Sequence, residues 1–129
     1  MNTVTAYYVR QMTAWLIGVA IALVFACASA AQVREVNVPG RRAIVFNDPP
    51  TPQQRSQAGT TAANLILYNS LCAPIPQATG EFVVELVDVA GGQVHVEVFV
   101  GAATRFAASN GVPAFCAFVR SQVPAELLR

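Results

Sequence analysis

Glu81-Phe82-Val83-Val84-Glu85-Leu86-Val87-Asp88-Val89-Ala90-Gly91-Gly92-Gln93-Val94-His95-Val96-Glu97-Val98-Phe99-Val100 is the stretch whose reading decides the fold. With a period of two, Phe82, Val84, Leu86, Val94, Val96, Val98 and Val100 fall on one face. Glu81, Val83, Glu85, Val87, His95, Glu97 and Phe99 fall on the other, the alternation of half-buried antiparallel strands. A three-residue loop, Ala90-Gly91-Gly92 with Gly92 left-handed, keeps the apolar residues on one side, whereas a two-residue Gly-Gly loop sets Leu86 opposite Glu97. The expectation is a β-hairpin with one dry face and one wet, mixed face.

Toward the N-terminus, the β-rich run Val33 to Val38 is followed by Pro39-Gly40 and then Ala43-Ile44-Val45-Phe46, which reads as a first, edge hairpin. Asn47-Asp48-Pro49-Pro50 ends it, because proline cannot donate to a ladder and holds its predecessor extended. Thr51 then opens a helix. Pro52 suits the first helical position, and Gln54 stands where its amide and the Thr51 hydroxyl each satisfy the other's orphan backbone donor. Ala58, Ala62, Leu65, Asn69 and Cys72 share one helical face, while Leu67, Tyr68 and Leu71 lie on another with Ile66 between. In its last two turns the helix is apolar most of the way round, which implies burial on two sides or a patch that another molecule covers. Gly59-Thr60-Thr61 weakens its middle, and Pro74 and Pro76 end it.

Beyond the central stretch, small residues from Ala102 lead to a helix stop at Asn110-Gly111, and Pro113 opens a short helix in which Phe115, Phe118 and Val119 share a side expected to face the sheet. Pro124 to Arg129 reads as a frayed last turn. The fold class expected is therefore α+β: a small antiparallel sheet of two hairpins in ββαββα order, helices on one face, preceded by an N-terminal hydrophobic export helix.

Residues 1–31 carry that export reading. Arg10 precedes an apolar run from Ala14, and Ala28-Ser29-Ala30 is the small-x-small tripeptide of a signal-peptidase site. A retained anchor over residues 14–31 and a lipoprotein signal acylated at Cys27 are the alternatives. All three deliver residues 32–129 outside the cytoplasm as a single domain, periplasmic or secreted in the first case, held at the inner membrane facing the periplasm or lipid-anchored in the others. All eight basic residues are Arg, a bias that fits a G+C-rich bacterial genome. Without Arg10, seven Arg balance seven Asp and Glu. The domain lacks the basic footprint of a nucleic-acid binder, and it meets a membrane only through residues 14–31 or a lipid on Cys27.

With Cys27 leaving in the signal, Cys72 and Cys116 remain as a lone pair in an oxidising compartment, and a disulfide between them would clamp the Thr51 helix to the Pro113 helix. Their spacing is not the Cys-x-x-Cys of a redox-active pair.

Chemistry-bearing motifs are sparse. His95 is the one histidine, too few for most hydrolytic or zinc schemes. On the expected sheet face it neighbours Glu85 and Glu97, a weak candidate metal or pH-sensitive cluster. No serine sits in Gly-x-Ser-x-Gly, and no lysine is available for a phosphate-binding loop. Candidate partner contacts are Arg41 and Arg42, two guanidiniums at a hairpin tip suited to a carboxylate or phosphate, and an apolar set of Leu67, Tyr68 and Leu71 with Tyr68 as aromatic anchor. These features point to a non-enzymatic, cofactor-free, exported bacterial cell-envelope module that binds an envelope protein as accessory subunit or inhibitor. A membrane-anchored structural subunit of an envelope complex and a small periplasmic enzyme or metal binder using His95 are the alternatives.

Overall fold

A computed structural model describes residues 32–129, and the signal, anchor and Cys27 readings lie outside the described residues. Two strands and four helices follow one another: β1 (Val33–Val36), β2 (Ile44–Asn47), α1 (Pro52–Leu71), α2 (Gln77–Val89), α3 (Gln93–Asn110) and α4 (Val112–Gln122), then a 3-10 turn at Ala125–Leu127. This is a mixed helix-and-sheet architecture, roughly α+β, with one small hairpin instead of two.

The first hairpin forms as read. β1 and β2 pair antiparallel with Val33 opposite Asn47 and Val36 opposite Ile44, and Val36, Val38 and Phe46 are buried from it. At the start of α1 the Gln54 backbone N–H donates to Thr51 Oγ1 at 3.2 Å. Gln54 Oε1 accepts from the backbone N–H groups of Thr51 at 2.9 Å and Asn47 at 3.2 Å. One buried amide therefore caps the helix and ties it to the end of β2. The last two turns of α1 are apolar around most of their circumference, and the helix packs against all three other helices.

The second hairpin does not exist. Residues 81–89 belong to α2 and residues 93–100 to α3. Phe82, Val83, Leu86, Val89 and Ala90 are buried, an i, i+1, i+4, i+7, i+8 stripe. Val84, Val94 and Val98, placed inside by the alternating pattern, are instead 68%, 76% and 70% exposed. Valine-rich segments satisfy both periods locally. What separates them is continuity: the spacing of Val96, Val100, Ala103 and Ala107 runs unbroken past the supposed strand end into the small-residue run, and one 18-residue helix buries all four at least partly. Gly92 does adopt a positive φ of 108° after Gly91 at 103°, but as a helix-to-helix break.

α3 stops at Asn110 before Gly111, as read, and α4 buries Phe115 and Val119. The third residue of that side, Phe118, has no sheet to face and stands exposed. The last turn is pinned, not frayed. Leu127 is buried, and its carbonyl accepts a 2.6 Å hydrogen bond from the buried Thr79 hydroxyl.

The core has two parts. One joins Phe46, Leu65, Phe82, Leu86 and Val96 beneath the hairpin, and the other joins Tyr68, Ala103, Ala107, Phe115, Cys116 and Val119. The Cys72–Cys116 disulfide, with Cα atoms 5.8 Å apart, closes the second part by linking the end of α1 to α4. Arg34 on β1 reaches Glu85 and Asp88 on α2 together, linking hairpin to helices. Hydrogen bonding to Glu85 first, then Asp88, raises the Arg34 pKa above its ordinary value.

Candidate functional site

α1, α3 and α4 leave an open apolar groove between them, with a volume of about 210 Å³. Its position follows from a glycine. A Cβ at Gly59, in the middle of α1, would stand 2.7 Å from the Phe99 ring, so the helix gives up propensity there and the ring of α3 lies against its backbone. Phe115 on α4 forms the floor, being almost fully buried. Phe106 and Phe118 form the rim, each 38% exposed. Their ring centroids are 5.1 Å apart, and Phe106 lies 6.5 Å from Phe115, both tilted contacts that hold the three rings as a unit.

Polarity enters at one wall. Thr60 already donates its hydroxyl to the Ser56 carbonyl at 2.9 Å. The half-buried Asn64 amide engages no other group among the described residues, so it keeps its donors and acceptor for an occupant. No titratable side chain lines the groove. The arrangement buries an aliphatic or aromatic group and offers it one amide.

The sequence-read candidates are scattered. Glu85, on α2, faces Arg34 of β1, while His95 stands in the first turn of α3 beside Gly91 and Glu97 lies exposed further along α3. The shared sheet face that was to gather them is absent because both segments are helical, and among the described residues no group of three His, Cys, Asp or Glu side chains is placed to hold a metal. Arg41 and Arg42 are exposed after the turn that follows β1, as expected, with Arg41 Nε 3.7 Å from Glu126. Tyr68 is 4% exposed within the second core part and so is not an exposed anchor, Leu67 packs against that core, and Leu71 alone of the three is exposed.

Sequence reasoning misses Phe106 and Phe118 as surface residues. One signal for them exists, since four of the seven phenylalanines lie in residues 99–118, more aromatic area than a short helical hairpin can hide.

In comparisons with known proteins, the chain matches no family model, no curated protein and no solved structure. Among the described residues no helix is long and apolar enough to cross a membrane.

Proposed function

We propose that this protein is an exported module of a bacterial cell envelope, non-enzymatic, that binds another envelope protein by taking an apolar side chain of that partner into the α1–α3–α4 groove. The observation that carries the reading is the pair of half-exposed rings, Phe106 and Phe118, over the buried Phe115. Aromatic groups at the centre of an apolar depression are what binding hot spots are made of. The Cys72–Cys116 bridge supports delivery to an oxidising compartment, and the signal reading of residues 1–31 supports export. Arg41, Arg42 and Leu71 would lie outside the contact.

The test is capture of partners from envelope extracts by the oxidised protein and by a Phe106→Ser/Phe118→Ser variant. The reading expects specific partners to be lost with the double variant and kept with Arg41→Ala or Leu71→Ser. Capture indifferent to both phenylalanines, or a phenotype lost in His95→Ala alone, would overturn it. Intact-mass measurement of the exported product separates cleavage after Ala30 from retention of residues 1–31 and from acylation at Cys27.

A further inference from the structure

The groove uses one side of α3, and its outermost side presents a second, separate surface. The core takes Val96, Ala103 and Ala107. Opposite them, at helical spacing, stand Val94, Val98, Gly101, Arg105 and Ala108, with Glu97 on the flank. Val94 and Val98 are the two most exposed large apolar residues among those described. A solvent-facing helix surface is ordinarily polar, so this one lacks its cover among the described residues.

The charges on the stripe indicate what covers it. Neither Glu97 nor Arg105 has an ionic partner among the described residues. They are eight positions apart, about 12 Å along the axis, too far to pair with each other within one helix. Both lie four positions from Gly101, one on each side. An Arg105 guanidinium nitrogen lies 3.7 Å from where a Gly101 Cβ would stand, so that side chain runs over the middle of the stripe.

We propose that α3 is a self-association surface on which two copies of this chain pair antiparallel, their helices crossing at Gly101 about a two-fold axis. In that arrangement Glu97 of each copy meets Arg105 of the other, forming two reciprocal ion pairs, and Val94 meets Ala108. With Arg105 drawn off Gly101 onto the partner copy's Glu97, the missing side chain at Gly101 lets the two backbones approach closely at the crossing. A parallel pairing would oppose Glu97 to Glu97 and is disfavoured. The stripe from Val94 to Ala108 is about 21 Å long and smaller than the roughly 800 Å² per partner of a standard interface, so the dimer is a weak, reversible one. The proposal goes beyond the groove reading and uses different side chains, so either can fail alone.

The test is sedimentation equilibrium of the protein as the cell processes it, with Cys72–Cys116 oxidised, from about 1 μM to about 1 mM. Reversible dimerisation is expected, with Glu97→Arg and Arg105→Glu each weakening it about tenfold or more by turning two attractions into two repulsions. Mixing the two variants sets a chain with arginine at both positions against a chain with glutamate at both, and so restores dimers, this time mixed ones. Val98→Asp removes association in both backgrounds. These positions are exposed, so unchanged thermal melts confirm that each variant folds. A monomer at every concentration, or a dimer whose affinity ignores the charge exchange, overturns the proposal.

Discussion

Opening the Cys72–Cys116 bridge is expected to remove a large part of the domain's stability. The bridge closes a loop with a sequence separation of 44. In the chain-entropy model, freeing a loop of about 45 residues gives back about 4 kcal/mol of unfolded-state entropy. A domain of this size is stable by about 5–15 kcal/mol in all, and for it 1 kcal/mol corresponds to about 4–8 °C in Tm. Reduction should therefore lower Tm by about 15–30 °C and move the guanidinium midpoint downward. The m-value should rise at the same time, because the reduced unfolded chain exposes more surface. Reduced wild type and a Cys72→Ala/Cys116→Ala variant should agree within about 1 kcal/mol; the excess loss in the variant measures the void left beside Phe115 and Val119. A loss below about 1 kcal/mol on reduction, with m unchanged, would refute the loop-entropy reasoning. The packing of α1 on α4 would then have to hold that end of the molecule unaided.

Thr79→Val keeps the volume but leaves the Leu127 carbonyl without its buried donor, so urea unfolding should show a loss of about 1–3 kcal/mol; a loss under about 0.5 kcal/mol would mean water replaces the hydroxyl. Gln54→Met strips the acceptor from two backbone N–H groups and should cost about 1–2 kcal/mol, whereas Gln54→Glu, which retains the acceptor oxygens, should cost less. Gly59→Ala gains about 1 kcal/mol of helix propensity yet drives a methyl into the Phe99 ring, and thermal melts should show net destabilisation of about 1 kcal/mol that Phe99→Leu reverses in sign. Arg34→Ala should cost no more than about 1 kcal/mol, since its pairs are partly solvated, and the difference should shrink in about 1 M salt, where the Debye length is about 3 Å. The raised Arg34 pKa means its contribution is fully present throughout the neutral range and is lost as pH rises through the folded value, so it adds no slope near neutrality.

Local signals in the sequence are legible where one physical requirement dominates. Thr51, Pro52 and Gln54 coincide at a helix start because orphan N–H groups admit few solutions. The Cys72–Cys116 pairing follows from there being two thiols left in the domain. Residues 81–100 mislead because Phe82, Val84 and Leu86 fit a period of two while Phe82, Val83, Leu86 and Val89 fit a period of 3.6 over the same short window, and only the buried stripe extending through Ala103 and Ala107 breaks the tie. The wrong period moves His95, Glu85 and Glu97 together onto a face that is not there. The site is less legible still. Whether Tyr68 or Phe118 ends up outside depends on which helix packs over which, and the Arg34 link to Glu85 and Asp88 spans 51 and 54 positions. Such choices are tertiary and leave no local mark.

The break between α2 and α3 has a consequence for how the molecule ages among proteases. Gly91 is exposed at a turn, and it lies inside the segment that the disulfide encloses. Severing the peptide there would yield two fragments that run as one band until a reductant is added, and it would open the very loop whose closure the disulfide supplies. Damage at that turn would therefore leave the two pieces tethered while forfeiting the stability that the bridge confers on the continuous chain.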